Sequence, residues 1–350
     1  MRAIAILLVL FSHCITTMNL NISNGKYNFL ACSGKLGVSI FFVISGYLIT
    51  KLLMLEKEKT GNISLKDFYL RRIFRIFPVF YLYIIVMILI KCFFIPVLFD
   101  NYASVVVAAL YLWDCAFLFN IHVSAKVYSV FGHFWSLSVE EQFYLLWPIT
   151  LVKLNIGTLK KALIGIILIM PFIRLAIYFF IPGSRGQADI MQPLEGGNTI
   201  LIGCLGALTE NTHFFKRNVL KLIGNIGLIS ITALVLFIIS PLIWVHFKGT
   251  YNEPIGNILD GLCIVILLFW CIYIPSKISA ILNSKVLVQI GILSYSLYVW
   301  QELFLFSNRK FHFWFNQFPL NIFLVFAIAF ISYYLIERPI LHLKKRFVRV

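Results

Sequence analysis

The run 133–148, HFWSLSVEEQFYLLWP, sets two adjacent carboxylates, Glu140 and Glu141, among aromatics and serines in a chain with only 14 Asp+Glu in 350 residues. An ionisable side chain at membrane depth costs roughly 2.5–3.5 kcal/mol on insertion scales, so the pair marks a functional site rather than a lipid-facing wall. On a helix, His133, Ser136, Glu140, Tyr144 and Trp147 recur at spacings of three or four and form one stripe, with Glu141 about 100° away. A carboxylate in that position can orient a histidine and stabilise its imidazolium, act as acid or base itself, or pair with an arginine for packing alone. Trp135 and Trp147 read as interfacial anchors. The candidate histidine is His13, eleven residues after Arg2. That spacing returns a helix to within roughly 20° of the same face and advances it about 16 Å. With Arg2 at the cytoplasmic interface, His13 lies near the middle of a ~30 Å hydrocarbon core. Neutral imidazole is the cheaper form to bury and is a general base near neutral pH. A histidine hydrogen-bonded between helices is the purely structural counterpart.

Two further stretches carry chemistry. In FYLRRIFRIFP (68–78), Arg71 and Arg75 share a helix face while Arg72 points aside. Positive-inside bias explains basic charge here, but not arginine three times over. The planar guanidinium fork takes phosphate oxygens in bidentate fashion, so a phosphate-rich cytoplasmic ligand fits. In GVSIFFVISGYLIT (37–50), Ser45 and Gly46 interrupt an apolar run, either for close helix packing or to line a cavity. SYSLYVWQ (294–301) is a further polar–aromatic element, and Glu337–Arg338–Pro339 reads as a helix stop with a local ion pair.

These residues need a scaffold, and composition indicates which. Hydrophobic residues make up 61% of the chain, charged residues 13%, and mean hydropathy is +0.91. A soluble domain carries about 25% charged residues. The expected architecture is an all-α polytopic transmembrane helical bundle, with residues 1–350 as a single membrane-embedded domain. The formal charge of +16 does not point to nucleic acid, because Lys and Arg cluster in short loops between apolar runs. Those runs lie near 3–20, 36–54, 76–96, 102–119, 141–153, 161–182, 197–209, 219–243, 255–274, 288–306 and 319–337. A span needs about 20 mostly apolar residues, so 141–153 and 197–209 read as tilted, broken or re-entrant. Basic clusters in 51–75, at Lys153/Lys160/Lys161, Lys216/Arg217/Lys221, Lys277/Lys285 and in the tail HLKKRFVR place both termini in the cytoplasm. Two termini on one side require an even number of crossings. The expectation is about ten spans, with one element near 102–153 crossing only in part. The polar stretch 183–198, GSRGQADIMQPLEGGN, falls on the outer side. The cysteines, seven in number and without a CxxC pair, read as small hydrophobes with no disulfide or metal role. The first run, with its arginine and histidine, reads as a retained span rather than a cleaved signal peptide.

Taken in order, these pieces resemble the acyltransferase-3 family of bacterial membrane O-acyltransferases. Arg2 and His13 match its R-x10-H first span, and FFVISGYLI matches its FFVxSGxLI second span. RRIFRIFP matches RRxxRIxP at the start of the third, and Trp135 to Pro148 matches WSLSVEEQFYLLWP without a gap. SYSLYVW (294–300) and ERP (337–339) complete the likeness, which covers essentially the whole chain. Gln301 departs from the histidine often found there, and the chain starts at the R-x10-H motif without the few residues that usually precede it. The appended extracytoplasmic hydrolase-like domain of some members is not in this sequence, which implies delivery of the acyl group by the membrane domain itself. The resemblance implies acyl transfer, usually of acetyl, from cytoplasmic acyl-CoA to a hydroxyl of a surface glycan such as an O-antigen or capsule sugar. The donor is a substrate, and no permanently bound cofactor is implied. Arg71, Arg72 and Arg75 would hold the coenzyme A phosphates, and His13 would deprotonate the acceptor or relay the acyl group. Glu140 or Glu141 would orient His13, and Arg2 would hold the donor or pair with a glutamate. Trp135, Ser136, Ser138, Tyr144 and Ser45 would support the site, with Tyr144, Ser136 and Ser138 as conceivable acyl carriers. The implied location is the bacterial cytoplasmic (inner) membrane. A glycan or lipid carrier without acyl-transfer chemistry is the alternative from another class. A glycosyltransferase is disfavoured, since the sequence has no DxD.

Overall fold

The computed structural model describes residues 1–17, 32–119, 125–181, 188–247, 249–305 and 314–347. Among them every regular element is a helix. In chain order these are α1 (Arg2–Thr17), α2 (Ser33–Thr60), α3 (Leu65–Phe93), α4 (Tyr102–Ala109), α5 (Ala125–Phe131), α6 (Phe134–Lys153), α7 (Ile156–Phe180), α8 (Ala188–Thr209), α9 (Ile226–Phe247), α10 (Gly249–Tyr273), α11 (Lys277–Leu282), α12 (Lys285–Leu305) and α13 (Leu320–Leu343). Among the described residues six helices, α2, α3, α7, α9, α10 and α13, are long and apolar enough to cross a membrane. Helices α6, α8 and α12 run 20, 22 and 21 residues, but polar side chains dilute their hydropathy. Length and apolarity alone therefore do not fix ten crossings. Polar helices of this kind are tolerated at membrane depth where they line a cavity inside the bundle.

Several elements differ from the sequence reading. The short runs 141–153 and 197–209 are the apolar second halves of α6 and α8, whose polar first halves are helical as well. Residues 188–198, expected within an outer polar segment, form the first half of α8. Residues 183–187 of that segment lie outside the described residues. The run 102–119 is the eight-residue α4 followed by a 3-10 turn, Trp113–Phe119. Eight residues rise about 12 Å, well short of a ~30 Å core. The helix expected to stop at Glu337–Arg338–Pro339 continues through a π turn, Tyr333–Glu337, into Arg338–Phe347. Its local ion pair is replaced by two other contacts. Glu337 accepts a hydrogen bond from Ser296 of α12, and Arg338 lies over the Tyr334 ring at 5.5 Å.

Local chemistry sets the helix ends. Gly61 closes α2 in the left-handed region, φ +80°, and its N–H donates to Lys57 O at 2.9 Å. Ser64 then caps α3 by accepting from Asp67 N. This short turn leads into α3, which packs on α12 and on the C-terminal part of α13. Helix α2 packs between α1 and α8, α8 also touches α6, α7 and α10, and α12 packs on α1 and α13. Two glycines allow α2 its close approach. A Cβ at Gly37 would lie 2.5 Å from Ala5 O of α1, and one at Gly46 would lie 2.1 Å from Ile200 O of α8. On the opposite side of the bundle α7 exposes Leu168, Ile169 and Phe172, an apolar face suited to lipid.

Candidate active site

A cavity of about 690 Å³ opens between α1, α2, α6, α8, α10 and α12. His13 lines it from α1 and Glu302 from α12. His13 Nδ1 lies 3.2 Å from Glu302 Oε1; the histidine side chain is 34% exposed and the glutamate only 8%. A carboxylate at Nδ1 holds the proton on that nitrogen and puts the basic lone pair on Nε2, the arrangement by which a carboxylate orients a catalytic imidazole. A second imidazole, His133, stands at the start of α6 and lines the same cavity. Its Nε2 is 3.2 Å from Val299 O, which fixes that nitrogen as the donor in the neutral ring; Nδ1 is buried without a hydrogen-bond partner. Trp135 lines this cavity too, edge-on to Phe42 with ring centroids 5.8 Å apart.

A second cavity is lined by Arg2, Arg72, Arg75, Glu140, Glu141 and Tyr144, among others. The two cavities share Val38, Phe42 and Tyr298 as common wall. Arg2 therefore lines one cavity and His13 the other, at the two ends of α1. Glu140 accepts hydrogen bonds from both Ser45 and Tyr144, and the Arg72 guanidinium lies over the Tyr144 ring at 4.6 Å. A third cavity of about 410 Å³ shares Arg2, Arg75 and Tyr295 with the second.

Two sequence expectations are corrected by this geometry. The carboxylate seated on His13 is Glu302, not Glu140 or Glu141, because α12 rather than α6 packs along α1. Glu140 is engaged instead by the α2 serine and its own i+4 tyrosine. Of the three arginines, Arg72 and Arg75 share the second cavity, whereas Arg71 pairs with Glu56 at 2.8 Å and is not among its lining residues. The α2–α3 turn brings Glu56 to Arg71, and residues three apart on a helix are neighbours as much as residues four apart. Among the supporting residues, Ser136 Oγ lies 2.6 Å from the Tyr298 hydroxyl. Ser138 Oγ accepts from Trp113 N at 3.2 Å, a brace for the 3-10 turn. Glu302 went unnoticed in the sequence although the rule that singled out Glu140 and Glu141, an acid inside an apolar helix, applies to it equally.

Comparison with known proteins supplies the family. A model described as an acyltransferase domain matches residues 1–338. A protein of Listeria monocytogenes named peptidoglycan O-acetyltransferase is 30% identical over 323 residues, covering 86% of this chain and 47% of the relative. A Staphylococcus aureus protein (strain NCTC 8325) named O-acetyltransferase is 28% identical over 326 residues, covering 88% of this chain and 52% of the relative. The chain thus spans about half the length of the curated relatives it matches. No solved structure matches. The arginine cavity, the neighbouring histidine–carboxylate cavity and a family match running from the first residue to the last long helix lead to one conclusion: this chain belongs to the acyltransferase-3 family.

Proposed function

We propose that the chain is an O-acetyltransferase of the bacterial cytoplasmic membrane, both termini in the cytoplasm, that moves an acetyl group from acetyl-CoA to a hydroxyl of a cell-wall glycan. The observation that carries this reading is the His13–Glu302 pair on the wall of a cavity adjoining an arginine-lined one. Arg72, Arg75 and Arg2 supply the cationic surface for the donor's phosphates. The thioester end then reaches His13 past the shared wall of Val38, Phe42 and Tyr298. His13 Nε2 takes the proton of the acceptor hydroxyl as its oxygen attacks the thioester carbonyl. The C–O bond forms, the C–S bond breaks, and the imidazolium returns its proton to the departing thiolate. Glu302 stabilises the imidazolium while it exists. The name of the Listeria relative favours a peptidoglycan-type acceptor over an O-antigen or capsule sugar.

Membrane vesicles carrying the chain test this, with [14C]acetyl-CoA and base-treated, ester-free peptidoglycan strands. Wild type should deposit hydroxylamine-labile acetyl label on the strands, and His13→Ala, inserted to the same level, should reduce it to background. Equal labelling by His13→Ala would remove the histidine from the chemistry. Passage of glycan across the vesicle membrane without any label would establish a carrier instead.

A further inference from the structure

One wall of the larger cavity has no role in the chemistry above, yet it is built with care. It comes from the polar first half of α8 and the start of α10, where Gln192, Glu195 and Asn257 line the cavity. Two of the three are held from behind. Glu195 Oε1 accepts from Asn252 Nδ2 at 2.7 Å. Asn257 Nδ2 donates to Thr199 Oγ1 at 2.9 Å, and Asn257 Oδ1 accepts from Asn198 Nδ2 at 3.3 Å. Behind these lies Arg174, fully buried, whose guanidinium donates to Glu253 O at 2.8 Å and lies near the carboxylates of both Glu253 and Glu195. Of the oxygens on the cavity-lining residues of this wall, Gln192 Oε1, on a residue only 9% exposed, is buried without a hydrogen-bond partner, as are Asn198 Oδ1 and Glu253 Oε2 further back. A buried acceptor in that state costs stability unless something donates to it. Trp135 contributes an aromatic ring to the same cavity, packed edge-on against Phe42.

Braced oxygens and an aromatic ring in one cavity suit a pyranose. Sugar hydroxyls donate to carboxylate and amide oxygens, and the C–H face of the ring lies on an indole. We propose that Gln192, Glu195 and Asn257, together with Trp135, form the acceptor subsite and hold one sugar ring of a peptidoglycan-type strand with its reactive hydroxyl towards His13 Nε2. This rests on the acetyl-transfer reading above and adds to it the surface that selects the acceptor.

The test uses the full chain in proteoliposomes with acetyl-CoA and ester-free peptidoglycan strands as probe, and measures KM for each substrate and direct strand binding by quenching of tryptophan fluorescence. Glu195→Gln keeps the Asn252 hydrogen bond through its carbonyl, so the wall stays folded while the charge is lost. It should raise the KM for strands roughly tenfold or more, as expected for a hydrogen bond to a charged acceptor. The KM for acetyl-CoA should stay within about twofold, and binding of strands should weaken in step. Gln192→Ala should move the same parameter in the same direction, and because it leaves the Glu195 charge and its Asn252 hydrogen bond in place it checks the subsite independently of the first variant. If wild type transfers acetyl to the strands and both variants keep its strand KM, the subsite is wrong and the transfer reading stands. If both variants lose kcat with unchanged strand KM and binding, the wall is structural and the inference fails. If wild type neither labels nor binds the strands, the glycan-acceptor reading falls and the subsite with it.

Discussion

Glu302→Gln separates the charge on His13 from everything else Glu302 does. The amide has the size of the carboxylate, and its carbonyl can still accept from His13 Nδ1, so the tautomer that places the lone pair on Nε2 is retained. What disappears is the negative charge 3.2 Å from the ring that becomes cationic as the acceptor hydroxyl is deprotonated. Two unit charges at that distance attract by about 5 kcal/mol at an effective dielectric near 20. His13 is 34% exposed, so water screens part of this. The net loss should then lie in the range of a charge-assisted hydrogen bond, about 1.5–3 kcal/mol. At about 1.4 kcal/mol per decade this lowers kcat by roughly 10- to 150-fold. The effect belongs to the transition state, so KM for acetyl-CoA and for glycan strands should change little. The assay is steady-state transfer of radiolabelled acetyl to ester-free strands by the chain in proteoliposomes, normalised to folded protein. A kcat within threefold of wild type would refute the role of Glu302. A larger loss in Glu140→Gln than in Glu302→Gln would return the orienting role to α6.

Other outcomes follow from the same geometry. Arg72→Ala and Arg75→Ala should each raise the KM for acetyl-CoA roughly tenfold or more, whereas Arg71→Ala, which loses only a partly exposed pair with Glu56, should stay within about threefold; donor-titrated initial rates distinguish them. Ser45→Ala and Tyr144→Phe each remove one of two hydroxyls on Glu140, so each should cost about 0.5–1.5 kcal/mol of stability, and the double variant should lose more than the sum; a double-mutant cycle of melting in detergent reads the coupling. Gly46→Ala drives a methyl against Ile200 O and should destabilise the fold by about 1–3 kcal/mol or more, seen as a lower melting temperature with reduced folded yield.

Periodicity within single helices conveyed much of the site. The eleven-residue step from Arg2 to His13 does lie on one continuous helix; of the stripe through His133, Ser136, Glu140, Tyr144 and Trp147, the middle three line the second cavity, His133 lines the first, and Trp147 is buried against Thr50. Pairings across helices were not legible. Residues 13 and 302 meet because α12 packs on α1, and no local pattern encodes which helix lies beside which. The first half of α8 was misplaced for a related reason. Polarity in an apolar chain reads as an aqueous loop, but here it lines a cavity within the bundle, where glutamine, glutamate and asparagine satisfy one another or await a ligand.

The tight seat of α2 has a further consequence. Gly46 meets only backbone of α8, and Gly37 meets the Ala5 backbone of α1 with the short, β-branched Val9 side chain beside it, so little can compress or swing aside. Helix α2 is therefore a rigid spacer between the helix that carries His13 and the helix that carries Gln192 and Glu195. The width of the gap is set before any substrate arrives, and a guest is measured against a fixed gauge. A change of guest is then reached by trimming or lengthening the side chains that project into the gap, since moving the helices would first require parting two glycine contacts that have no slack.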